Sequence, residues 1–98
     1  MIISNQLLND YVLMLMQEKQ KIAERILMVT GQRGADKSTC PSEIARMLFP
    51  DHWRNHMETV MEVAIGLCVD GKISITQKGK AVDVEKIKGP VRIKQPMD

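Results

Sequence analysis

The chain has 98 residues, 44% of them hydrophobic and 27% charged, which excludes a second domain and a wholly disordered chain. No apolar run reaches the roughly 18 residues of a membrane span and neither end reads as a secretory leader, so we expect a cytoplasmic protein. The net charge of +2 hides an asymmetry, because residues 72–94 carry seven basic side chains and two acidic ones.

A long amphipathic helix is predicted over residues 4–30. Ser4 is a suitable N-cap, and Gly31 is expected to stop the helix in a left-handed conformation. The apolar residues of one side follow one another at steps of four and three, with the polar Lys19 at one step. They are Leu8, Val12, Leu15, Ile22, Ile26 and Val29.

The first half of this helix is apolar on a second side as well. One small domain cannot easily cover both sides, and a large exposed apolar patch usually marks an interface. We therefore treat residues 1–21 as a helical extension and predict a homodimer formed through it. The predicted interface consists of Leu7, Leu8, Tyr11, Val12, Met14 and Leu15. The alternative is that this segment folds back onto the domain's own core.

The segment from Gly31 to Thr39 comes within one residue of a phosphate-binding loop, because Lys37 and Ser38 follow Gly31 at the right distance. Asp36 stands where that loop needs a glycine, and the chain is too short for the parallel sheet of such enzymes. We interpret the segment as a turn between two helices.

No group of residues supports catalysis, so we predict that the protein is not an enzyme and uses no cofactor or small-molecule substrate. His52 and His56 are four residues apart, as a metal-binding pair would be, but no third ligand is evident. Cys40 and Cys68 lack the paired spacing of a zinc site or a disulfide framework. They are interpreted as reduced, buried thiols.

Two further helices and a hairpin follow. Pro41 opens the second helix and Pro50 ends it. Asp51 is the predicted cap of the third helix, which closes at Asp70-Gly71, and Trp53 is expected to pack over the second helix. Residues 72–76 alternate polar and apolar, residues 77–80 form a turn, and residues 81–84 return as a strand. Residues 91–93 are expected to anchor an extended segment, and residues 95–98 to fray.

This order predicts a winged helix-turn-helix: a mainly α domain of three helices plus a C-terminal β-hairpin as the wing, over residues 22–94. Such a domain places a helix N-terminus, a recognition helix and a wing against nucleic acid. Glu58 and Glu62 on the third helix would repel phosphates, so the wing and the N-terminal turn of that helix should carry most of the contact. The predicted nucleic-acid-binding residues are Ser42, Arg54, Asn55, His56, Thr59, Lys72, Lys78, Lys80 and Arg92.

Three stretches carry a family resemblance: R-G-A-D-K-S-T-C-P-S-E-I-A-R (residues 33–46) with Trp53-Arg54, G-K-I-S-I-T-Q-K-G-K-A-V-D (residues 71–83), and G-P-V-R-I (residues 89–93). Over about residues 22–94 the chain resembles a bacterial family of small winged-helix domains of unknown function. The resemblance implies the fold and no activity. Family members often have glycine in place of Asp36, and basic residues in place of Glu58 or Glu62.

Two functions follow from these observations. The first is a nucleic-acid-binding module, as in a dimeric transcriptional regulator that binds double-stranded DNA. The second is a protein-interaction module that binds no nucleic acid, in which the winged helix is a scaffold and the methionine-rich first helix makes the contact. The fold alone does not choose between them.

Overall fold

The computed structural model describes residues 2–96, with side chains from Gln6 onward. In this part of the chain three helices precede a three-stranded antiparallel sheet, which confirms the predicted fold class. The helices are α1 (Ile2–Arg33), α2 (Pro41–Leu48) and α3 (Met57–Val69), and the strands are β1 (Ser74–Gln77), β2 (Lys80–Ala81) and β3 (Arg92–Lys94). None of the helices described is both long and apolar enough to cross a membrane.

Helix α1 passes the predicted boundary at residues 21–22 without a break. Its C-terminal half buries Ile22, Ile26 and Val29 in the core. The prediction that Gly31 stops the helix is wrong, because α1 continues to Arg33 and Gly34 takes the left-handed conformation with φ 78°. The amide of Gly34 donates to the carbonyl of Thr30 at 3.1 Å, so the last turn closes beyond Gly31.

The N-terminal half of α1 projects beyond the rest of the molecule. At about 1.5 Å per residue a helix of this length spans about 48 Å, which accounts for most of the 52 Å longest dimension. We call residues 18–96 the body. Among the described residues, the first ion pairs between α1 and the later elements are those of Glu18 with His56 and of Lys19 with Glu62.

A short 3-10 helix, Trp53–His56, separates α2 from α3. The prediction that Asp51 caps the third helix is wrong, because α3 begins only at Met57 and no side chain caps the 3-10 helix. Tight turns occupy the interval, since the amide of His52 donates to Phe49 and that of Asn55 donates to His52. This spacing brings the ring of His56 onto that of Phe49, with 3.7 Å between ring centres.

The wing starts from a glycine-terminated helix. Gly71 has φ 78°, and the amides of Gly71 and Lys72 donate to the carbonyls of Cys68 and Leu67, the pair of bonds that defines a Schellman motif. In the turn between β1 and β2 both Lys78 and Gly79 have positive φ, at 52° and 79°. Two such residues make the type I′ turn that matches the twist of a hairpin.

The third strand completes the sheet in the order β2-β1-β3. The extended segment predicted at residues 91–93 is confirmed and is a true strand, since Ile75 of β1 faces Ile93 of β3 and Val91 and Ile93 are buried. Ile93 also forms a reciprocal pair of backbone hydrogen bonds, each 2.7 Å long, with Thr39. The sheet therefore connects the start of α2 to the end of the body.

The return strand is shorter than residues 81–84, because β2 consists of Lys80 and Ala81 alone. Asp83 accepts a hydrogen bond from the amide of Glu85 at 3.0 Å and caps a 3-10 helix, Val84–Lys86. This local bond competes with the strand ladder and turns the chain out of the sheet. The predicted tail, residues 95–98, includes residues 97 and 98, which lie outside the described residues.

Candidate nucleic-acid interface

An ion pair holds the end of α1 against the first turn of α2. Two guanidinium nitrogens of Arg33 each donate to a different carboxylate oxygen of Glu43, both at 2.7 Å, and the hydroxyl of Thr39 donates to the same carboxylate. The Arg33 hydrogen bond is the main cause that lowers the pKa of Glu43 to about 2, and the same bond raises the pKa of Arg33. Glu43 therefore balances the charge of Arg33.

Ser38 lies between this pair and β3. Its carbonyl accepts from Arg33 at 3.0 Å and from Arg92 at 3.1 Å, and its hydroxyl accepts from Nε of Arg92 at 2.8 Å. Arg92 remains exposed and forms no ion pair with any described residue. Its position is fixed while its charge stays available to a ligand.

These residues line an open cleft of about 500 Å³ at the N-terminus of α2. The lining consists of Arg33, Cys40, Ser42, Glu43, Arg46, Met47 and Arg92. The cleft thus unites Ser42 and Arg92, two of the predicted binding residues, with Arg46, which the sequence analysis missed. Three arginines against one glutamate give the cleft a positive charge.

Trp53 joins this cleft to the 3-10 helix. As predicted, it packs against α2, with the guanidinium carbon of Arg46 4.3 Å from its ring centre. The guanidinium carbon of Arg54 lies 4.7 Å from the same ring. These cation-π contacts hold two exposed arginines in place without neutralising them. Arg54 and Asn55 are both exposed.

His56 and Thr59 do not join this surface. The Nδ1 atom of His56 lies 2.8 Å from a carboxylate oxygen of Glu18, and its ring stacks on Phe49. Thr59 is half-buried in the next turn. His56 therefore connects α1 to the 3-10 helix and to Phe49.

The predicted wing lysines, Lys72, Lys78 and Lys80, are all exposed. Residues 72–94 contain six lysines in total, and none of them forms an ion pair with any described residue. The two acidic residues of this stretch, Asp83 and Glu85, are themselves exposed. The positive excess of the wing is therefore not neutralised within the body.

The outer face of α3 has the opposite character. Its exposed residues are Glu58, Glu62, Gly66 and Val69. The helix contains no lysine, arginine or histidine, and Glu62 lies 3.4 Å from Lys19 of α1. The face that a recognition helix presents to the major groove thus carries no cationic donor.

Comparison with known proteins gives a family and no activity. No curated protein matches the chain. A family model matches residues 19–96, which is most of the chain and nearly all of the body. This confirms the resemblance to a family of small domains of unknown function. The chain belongs to the family described as protein of unknown function (DUF3253).

Proposed function

We propose that the protein is a winged-helix module that binds the phosphate backbone of double-stranded DNA, and that it acts in the cytoplasm as a dimeric regulator of transcription. The observation that carries this proposal is the unpaired lysine cluster of residues 72–94. Both cysteines are free thiols, which fits a reducing compartment.

Binding should depend on phosphates rather than on base edges. Lysine acts as a point charge toward phosphate, and a wing offers such charges to a duplex. The acidic outer face of α3 would repel the walls of the major groove, so deep insertion of this helix is unfavourable. We therefore expect low sequence specificity and a steep dependence of affinity on salt.

The cleft at α2 supplies a second contact. Arg46, Arg54 and Arg92 are exposed and are held in position by Trp53 and Ser38. A guanidinium group fixed in this way donates to phosphate oxygens with little further loss of side-chain freedom. Ser42, in the first turn of α2, adds a hydroxyl at the same place.

The test removes charge from the wing and leaves its turn intact. The variant Lys72→Gln, Lys78→Asn, Lys80→Gln replaces three cations, and asparagine tolerates the positive φ of position 78. Since each phosphate contact contributes about 0.9 to the slope of log affinity against log salt, the slope should fall by about 3. Fluorescence anisotropy with a random-sequence duplex measures it.

The matched control removes three lysines elsewhere. Lys19→Gln, Lys21→Gln, Lys37→Gln changes the net charge equally, and the one ion pair it breaks among the described residues is solvent-exposed and therefore weak. This control should keep the parent's slope. An equal loss in both triple variants would mean that total charge, and not the wing, determines the affinity.

A second function has its own supporting observation. Seven large side chains of the N-terminal half of α1 are between 45% and 65% exposed, an apolar surface suited to a protein partner. If the parent protein shows no affinity for duplex DNA even at low salt, the protein-interaction module replaces the DNA-binding proposal. The winged helix would then serve as a scaffold.

A further inference from the structure

One apolar seam follows one side of α1 and is interrupted by the polar Lys19. Leu8, Val12 and Leu15 continue, at steps of four and three through Lys19, into the stripe that buries Ile22 and Ile26. Residues spaced in this way lie on one side of a helix. The N-terminal seam therefore lies on the same side of α1 as the body, which covers only the C-terminal part.

The uncovered part of the seam is large enough for a stable interface. Specific protein pairs bury about 800 Å² on each partner. The seam and its flanks offer an apolar area of this order, through Leu7, Leu8, Tyr11, Val12 and Met16, while Leu13 lies on the opposite side of the helix. The polar residues Gln6 and Asp10 hydrogen-bond to each other at 3.1 Å. Their spacing from the seam puts them on the other side of the helix.

The position of the body restricts what can cover the seam. Packed helices lie about 8–10 Å apart, whereas the body extends well past α1 on the seam side, since the two shorter dimensions of the molecule are 27 and 23 Å. Two copies paired in parallel through their seams would place both bodies in the same space. An antiparallel pair places them at opposite ends.

We propose that a second copy of this chain covers the seam, with the two α1 helices antiparallel. This inference rests on the dimer of the proposed function and specifies its geometry. When the two seams pack against each other in antiparallel orientation, Leu8 of one copy lies opposite Val12 of the second copy. In that register the first residue of one α1 faces position 18 of the other, which is where the body begins. The two helices therefore fit without a clash between bodies.

Disulfide cross-linking in the full chain tests the orientation. In a Cys40→Ser, Cys68→Ala background, a tagged Leu8→Cys chain and an untagged Val12→Cys chain are co-expressed and oxidised. The antiparallel pair should yield a cross-linked heterodimer on a non-reducing gel, while Leu8→Cys alone should yield none. Gln6→Cys, on the other side of the helix, is the control for random collision and should remain uncross-linked.

Several outcomes overturn the proposal. A Leu8→Cys homodimer link would indicate a parallel pair, and a dimer mass by light scattering without the Leu8–Val12 link would refute this register. If light scattering gives the parent protein the mass of a monomer, the proposed dimer is refuted. The companion variant Leu8→Lys should shift the mass from dimer to monomer, whereas Gln6→Lys, on the opposite side of the helix, should leave it unchanged. If the parent protein forms the Leu8–Val12 cross-link but shows no affinity for duplex DNA at low salt, the DNA-binding proposal alone is refuted.

Discussion

The ion pair between Arg33 and Glu43 connects the end of α1 to the first turn of α2. The two residues are ten positions apart in sequence. Both guanidinium bonds are short, and Thr39 adds a third hydrogen bond to the same carboxylate. Solvent reaches both side chains, which are 30% and 36% exposed. The pair therefore fixes the geometry of the cleft and contributes only a modest part of the stability.

Titration of Glu43 should make the protein acid-sensitive in a defined range. The folded pKa is about 2 and the ordinary value is 4.5, so the stabilisation is complete above pH 4.5 and is lost as the pH falls toward 2. Glu43→Gln should lower the free energy of unfolding by about 1 kcal/mol at pH 7, a value discounted for solvent screening.

Urea unfolding of parent and Glu43→Gln at pH 7 and pH 3 measures this difference. The difference in unfolding free energy between the two proteins should shrink at the lower pH, because the carboxylate of the unfolded parent, with its ordinary pKa of 4.5, is then largely protonated. Glu24→Gln, an exposed change on α1, is the control. If the difference in unfolding free energy stays constant with pH, Glu43 acts through its shape rather than its charge.

At the residue scale the sequence predicted which single side chains are exposed better than it predicted which side chains pair with each other. Lys72, Lys78 and Lys80 were predicted to be exposed, since lysines flanking a glycine-containing turn project from a hairpin. The pairing of Arg33 with Glu43 was not predicted, because it depends on how α1 meets α2. His56 was assigned to the DNA face, but Phe49 and Glu18 hold it on the other side of the 3-10 helix.

Glycines decide where the elements end. Gly66 lies inside α3, is exposed, and has open space around its missing side chain. Gly71 follows the same helix with φ 78°, a conformation that a side chain opposes. The same residue type is therefore expected to have opposite effects at two positions five residues apart.

Substitution by alanine tests this contrast. Gly66→Ala should stabilise the protein by about 0.5–1 kcal/mol through helix propensity and reduced freedom of the unfolded chain. Gly71→Ala should destabilise it by about 1–2 kcal/mol, because the Schellman motif needs the left-handed conformation. Thermal unfolding followed by circular dichroism measures both, and changes of the same sign would contradict this account.

At the element scale the sequence predicted which elements exist and misplaced their ends. Periodicity predicted three helices and a hairpin. The end of α1 was misjudged because glycine is tolerated inside a helix when the next turn closes, as it does from Thr30 to Gly34. The start of α3 was misjudged because Asp51 resembles a cap, while the actual start follows the packing of Trp53 and His56.

The whole molecule divides into a packed body and an uncovered length of helix. A variant lacking residues 2–16 keeps Glu18, Lys19 and every core residue of α1 from Ile22 onward. We expect it to unfold cooperatively, with helix content reduced by the missing turns, and to be monomeric by light scattering. An unfolded product would show that the N-terminal half stabilises the body itself.

The strand arrangement has a consequence for behaviour at high concentration. One border of the sheet is β2, which is two residues long and carries Lys80, and the other is closed by the bridge from Thr39 to Ile93. Neither offers a long row of free amides and carbonyls for the strand of another molecule. Aggregates that form at high concentration should therefore stay helical and fail to bind amyloid dyes, because the exposed apolar surface belongs to helix α1 and not to the sheet.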